Sequence, residues 1–144
     1  MDTQNYANHA RIVKGFHGLL FFLLLAGLIG SIVNLVNAGK HDGSLYSASL
    51  ILFLFVCASL LAYYSRVFAL RAQDRAIRAE ENLRHLALTG KLLDSRLRLS
   101  QIIALRFAPN EEFVELAHKA AEENLPSKEI KRQIKNWKAD HHRV

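Results

Sequence analysis

Hydrophobic positions in this chain are massed into two unbroken runs and then thin into stripes. Residues 16–36, FHGLLFFLLLAGLIGSIVNLV, contain no Lys, Arg, Asp or Glu, and neither do residues 45–64, LYSASLILFLFVCASLLAYY. At about 1.5 Å rise per residue, each run covers roughly 30 Å of hydrocarbon as a helix. The 14 Leu, Ile, Phe and Val side chains of the first run are worth about −6 kcal/mol on an insertion scale. The 10 of the second are worth about −4 kcal/mol. Buried core helices are the competing reading, but a domain of 144 residues has too little other chain to cover two helices that are apolar all round. The pattern therefore predicts membrane helices at 16–37 and 45–65. The loop between them, 38–44, carries Gly39 and Gly43 and favours an antiparallel hairpin. Val36, Asn37 and Ala38 would suit the cleavage site of a secretory leader. Because the chain starts at Met1, the run is expected to stay attached.

In lipid, apolar contact alone does not hold helices together, so small residues that let backbones approach carry the pairing signal. The first span has Gly27 and Ser31, and again Ala26, Gly30 and Asn34, at spacings of four. The second has Ala58 and Ala62. These seven are the expected helix-packing residues of the hairpin. No ionisable group lies near the middle of either span, which argues against a charged relay or ion path.

Beyond residue 65 the run SRVFALRAQDRAIRAEENLRHLALTG is free of Gly and Pro until Gly90 and rich in helix formers. One helix is expected to continue through 66–89. Along it Ala69, Ala72, Ala76, Ala79, Leu83 and Leu86 recur at threes and fours, a heptad seam of alanine followed by leucine. A second copy, the later helices folding back, or a foreign partner could cover that seam. The run is short for a free-standing coiled coil, so fold-back or dimerisation assisted by the spans is the expectation. In the tail, 90–144, shorter stripes predict a small helical domain. Leu92, Leu93 and Leu97 suggest one helix, and Leu99, Ile102, Ile103 and Phe107 another. A third, capped by Asn110, turns Phe113, Leu116, Ala117, Ala120 and Ala121 to one side. The last is capped by Ser127, with Ile130, Ile134 and Trp137 facing inward.

Charge orients the chain. Arg11 and Lys14 precede the first span, Arg66, Arg71, Arg75 and Arg78 follow the second, and the loop sets only Lys40 against Asp42. Both termini, including segment 1–15, are thereby expected on the cytoplasmic side of the inner membrane. Residues 66–144 carry 16 Lys plus Arg and 11 Asp plus Glu, so +5 of the formal +6 lies there. The four arginines are expected to contact an anionic inner leaflet.

The stretch HKAAEENLPSKEIKRQIKNW has the form of helix, turn and basic helix. A nucleic-acid reader would need a basic footprint, yet the preceding helix, residues 111–123, sums to −4 and the basic one, residues 127–138, to +4. Nucleic acid is an unfavoured partner. Asp140, His141 and His142 lack a third ligand at helical spacing, so a solvated tail is expected there and no metal or cofactor is assigned. Cys57 stands alone, and no phosphate loop, nucleophile elbow or carboxylate pair stands out, so no enzymatic activity is expected.

The phrases LRAQDRAIRAEENLR, QIIALRFAPNEE and LPSKEIKRQIKNWKADHHRV, with the first span, resemble an uncharacterised family of bacterial membrane proteins known as a domain of unknown function. The resemblance covers almost the whole chain and implies a two-span protein with a helical cytoplasmic tail. It brings no activity. Within it, Arg106 and Asp140 are expected to form a polar network that locks the last helix down, with Trp137 as apolar anchor. The combined expectation is an all-α, non-enzymatic membrane protein. It would act through helix contacts as a homo-oligomer or as an accessory subunit of a larger complex. A pore or transporter of oligomerised hairpins is the first alternative, and a membrane-tethered nucleic-acid regulator the second.

Overall fold

The computed structural model describes residues 5–6, 13–41 and 43–140. All regular structure among them is helical: a π-helical stretch Lys14–Leu20 leads into α1 (Phe21–Ala38), followed by α2 (Leu45–Thr89), α3 (Leu99–Leu105), α4 (Asn110–Glu122) and α5 (Ser127–Gln133). The chain divides into two compact units, a hairpin unit over residues 12–69 and a tail unit built from residue 70 onward. Tyr6 belongs with the tail, its ring 5.8 Å from the Arg132 guanidinium. α2 contributes to both units as one helix of 45 residues.

In the hairpin unit the two helices are long and apolar enough to cross a membrane, and their most apolar stretches are only 6% buried. They meet through small residues. Gly27 sits against the ring of Phe55, in space that any Cβ would occupy. Ser31 is buried and returns its hydroxyl to the Leu28 carbonyl at 2.8 Å, so its polar group costs nothing in apolar surroundings. Ala48 is buried near the turn. There the Gly43 N–H donates to the Ala38 carbonyl at 3.2 Å. A Cβ on Gly43 would lie 2.9 Å from the Ala38 Cα, so the close backbone approach requires glycine.

α2 ends at the first left-handed residue among those described. Gly90 has φ +73° and its N–H donates to the Leu86 carbonyl at 2.8 Å, the capping geometry that glycine adopts without steric cost. The next eight residues depart from expectation, because Leu92, Leu93 and Leu97 do not form a helix. Asp94 instead accepts the Arg96 backbone N–H at 2.9 Å and pairs with its guanidinium at 2.6 Å, closing a turn. The leucines divide accordingly: Leu93 and Leu97 are buried and Leu92 is exposed.

The three short helices enclose a core of Ile102, Leu105, Phe107, Phe113, Ala117 and Ile130 with their neighbours. Pro109 and Pro126 occupy the N-caps of α4 and α5, in extended conformation, and their carbonyls accept the first helical bonds. Asn110 and Ser127, expected as caps, are therefore the first helical residues. The Asn110 side chain is used elsewhere. α5 is also shorter than its stripe suggests: it stops at Gln133, and Trp137 lies in non-helical chain beyond it.

Candidate functional site

The side of α2 that receives the tail is made largely of polar residues. Ile77 and Glu81 are buried, and Arg84 has a side chain only 12% exposed. Arg84 donates from Nη1 to Glu81 at 3.1 Å, from Nη2 to the Ala108 carbonyl at 2.8 Å and from Nε to Asn110 Oδ1 at 2.8 Å. Its guanidinium also lies 4.2 Å from the centre of the Phe113 ring. A fork of fixed donors thus finds a carboxylate, a carbonyl, an amide oxygen and a ring face, the variety that arginine can serve and lysine cannot. His85 adds a ring contact to Phe113 at 5.9 Å, and Asn82 accepts the Leu93 N–H at 3.3 Å. Sequence reasoning missed Glu81 and Arg84. Their spacing of three behind Ile77 was the available signal, but in the sequence it reads as an exposed helix pair.

The second polar centre surrounds Phe107, which is fully buried. The structure brings together the three residues singled out in the sequence. Arg106 and Asp140 form an ion pair at 3.3 Å, the arginine side chain 9% exposed, while the Trp137 ring stacks 4.9 Å from that of Phe107. Arg106 itself lies over the Phe107 ring at 4.7 Å, and the Lys138 N–H donates to the Phe107 carbonyl at 2.8 Å. Residues 137–140 therefore lie across Phe107 as a strap and not as a helical turn.

Glu112 explains why α5 is short. Its carboxylate takes the backbone N–H groups of Lys135 and Asn136 at 2.9 and 3.1 Å and the Asn136 side-chain amide at 3.0 Å. Those two backbone donors are thereby drawn away from the carbonyls of α5. Gln101 is the other buried organiser. Its Oε1 accepts the Arg98 N–H at 2.7 Å at the start of α3, and its Nε2 donates to the carbonyls of Ala120 at 3.3 Å and Leu125 at 2.9 Å. A glutamine three residues after a helix N-cap was the legible part of that role.

The expected heptad seam lies elsewhere on α2. Ala72, Ala76, Ala79, Leu83 and Leu86 are all exposed, and Ala69 is half-buried. The tail folds back, but onto the opposite side of the helix, where Arg84 donates to the Ala108 carbonyl and to Asn110, and Asn82 accepts from the Leu93 N–H, bonds that the alanines cannot make. Arg71, Arg75 and Arg78 are exposed, and Arg66 is half-buried.

Of the small residues expected to pack the hairpin, Gly27, Ser31, Ala58 and Ala62 are at least half-buried, whereas Ala26, Gly30 and Asn34 are exposed. Only one of the two stripes of α1 serves contact within the chain. Asn34 instead borders an open groove of about 460 Å³ at the loop end, with Asn37, His41, Ser44 and Ser47. Among the described residues no group of three or more His, Cys, Asp and Glu could hold a metal. Arg11, Asp42, His141, His142 and Arg143 lie outside the described residues.

Nothing among curated proteins and nothing among solved structures matches this chain. A family model described as "Family of unknown function (DUF6526)" matches residues 1–144, and the chain belongs to that family.

Proposed function

We propose that this chain is an integral protein of the inner membrane. Its hairpin unit spans the bilayer, and its tail unit is held at the cytoplasmic face. It works through helix contacts, as a homo-oligomer or an accessory subunit, and not through chemistry of its own. The observation that carries this reading is the outward direction of the largest apolar side chains of the hairpin unit. Phe22 is 66% exposed, Phe53 65% and Leu61 71%. Side chains of this size placed against water over two whole helices would be a large apolar surface with no cover, and lipid covers them at no cost.

Two further features support it. Ser31, Ser49, Ser59 and Ser65 each return their hydroxyl to a backbone carbonyl three or four residues earlier, the arrangement that satisfies hydroxyls in hydrocarbon. In the tail the buried polar side chains Arg84, Gln101 and Arg106 each hold one segment against another, and Glu81 steadies the Arg84 guanidinium, as joints of a scaffold do.

Extraction of whole membranes with alkaline carbonate tests the reading. The protein is expected to stay in the membrane pellet, and tags at both termini are expected to resist labelling from outside intact cells. Release into the supernatant, or external labelling of either tag, would overturn it.

A further inference from the structure

The tail unit has two sides along α2 that a helix could use, and its own chain takes only one. The covered side is centred on Ile77, Glu81 and Arg84. The seam of Ala72, Ala76, Ala79, Leu83 and Leu86 is turned roughly 150° away around the helix and is exposed throughout, Leu83 by 66%. Alanine at this spacing lets a second helix approach closely, and the two leucines supply apolar area at the far end. The flanking charges say which helix fits. With Ala69, Ala76 and Leu83 at the a positions of a heptad and Ala72, Ala79 and Leu86 at d, Arg75 falls at g and Glu80 at e. In a parallel, in-register pair a g residue meets the e residue five positions on in the partner. Arg75 of each copy then faces Glu80 of the other, twice, by symmetry. In antiparallel pairing g faces g and e faces e, and the two opposite charges do not meet.

We propose that this seam binds the same seam of a second copy of the chain, in parallel and in register, so that the family's working form is a dimer joined beneath the membrane. The proposal rests on the membrane reading above for one point. Two and a half heptads with an alanine core are weak in free solution, and anchoring both copies in one bilayer supplies the effective concentration that the short seam lacks. The polar side of α2 remains with its own tail, so pairing requires no refolding of either copy.

Cysteine cross-linking of the full-length protein in liposomes tests this. Cys57→Ser provides the background, and single cysteines are placed at Ala76 and Ala79 on the seam and at Arg71 and Arg78 off it. Under mild oxidation the two seam positions are expected to form symmetric disulfide dimers about tenfold faster than the two controls. Arg75→Glu is expected to slow the Ala79 cross-link, and Glu80→Arg in the same chain to restore it. Equal rates at all four positions, persistent monomer, or no rescue by the charge swap would overturn the pairing. So would cross-linking of the seam positions to a foreign protein alone in native membranes. Flotation separates the two readings. A chain that floats with the liposomes yet stays monomeric sinks the dimer and leaves the membrane reading standing. A chain that fails to float but cross-links at Ala76 and Ala79 does the reverse.

Discussion

In the hairpin unit Phe22, Phe53 and Leu61 point away from the protein, and the contact between helices is left to Gly27, Ser31 and Ala48. In the tail unit Phe107, Phe113 and Leu105 are fully buried, and outside the α2 seam and a few leucines such as Leu92 the exposed positions are mostly charged or polar. The same residue types are sorted in opposite directions within one chain. Burial of large apolar groups drives folding only where water is the alternative. On the membrane reading proposed above, water is not the alternative around the hairpin, and shape at the contact and satisfaction of polar groups then decide which surfaces meet. The tail therefore has a core in the ordinary sense, and the hairpin has an interface.

Substitutions should divide along the same line. The largest effect is expected from Phe113→Ala, which opens a cavity under the Arg84 guanidinium and should cost the tail unit about 3–5 kcal/mol. Chemical denaturation followed by limited proteolysis would report it, with carbonate extraction unchanged. Arg84→Ala is next, at about 3 kcal/mol, because it leaves Glu81 buried beside no cation. The double variant Glu81→Ala/Arg84→Ala should cost clearly less than the sum of the two single changes, which a double-mutant cycle measures.

A smaller effect separates two glycines of α1. Gly27→Ala places a methyl group in the space of the Phe55 ring, whereas Gly30→Ala meets nothing within 4 Å. The first should lower the midpoint of hairpin unfolding in detergent, by about 1–2 kcal/mol, and the second should leave it within about 0.5 kcal/mol. An equal response at both positions would mean that the hairpin is not held by this contact.

The smallest effect is local. The Arg96 side chain and backbone N–H bond to Asp94 and lower its carboxyl from 3.8 to about 2. A depressed carboxylate supports the turn fully above its ordinary pKa, so that support is lost only as pH falls from about 4 toward 2. NMR titration of Asp94 should show the low midpoint, and Arg96→Ala should return it to near the ordinary value.

What the sequence made legible follows from the same physics. The two apolar runs, the continuity of α2 up to Gly90 and the breaks at Pro109 and Pro126 are local signals, and each sits where its residues place it. The signals that were not legible depend on distant partners. Glu81 and Arg84 look like a solvated pair until Ala108, Asn110 and Phe113 are brought to them from more than 20 residues away. The end of α5 depends on Glu112, which binds the N–H groups of Lys135 and Asn136, and no periodicity in residues 127–138 records it. The stripe Leu92, Leu93 and Leu97 read as a helix because the turn depends on one side chain, that of Asp94, accepting the backbone N–H of Arg96 two residues on. Arg106, Trp137 and Asp140 were singled out in the phrases that carry the family resemblance, as a polar network with an aromatic anchor, and the structure places all three at Phe107.

The most direct test of the contrast between the units is the solvent that each surface meets. Spin labels at Phe22, Leu54 and Leu61, and at Lys119 in the tail, can be read for collisions with oxygen and with a water-soluble nickel chelate in lipid nanodiscs. The account predicts high oxygen and low nickel access at the three hairpin positions and the opposite at Lys119. Comparable nickel access at all four would contradict it, because the apolar side chains of the hairpin would then be facing water.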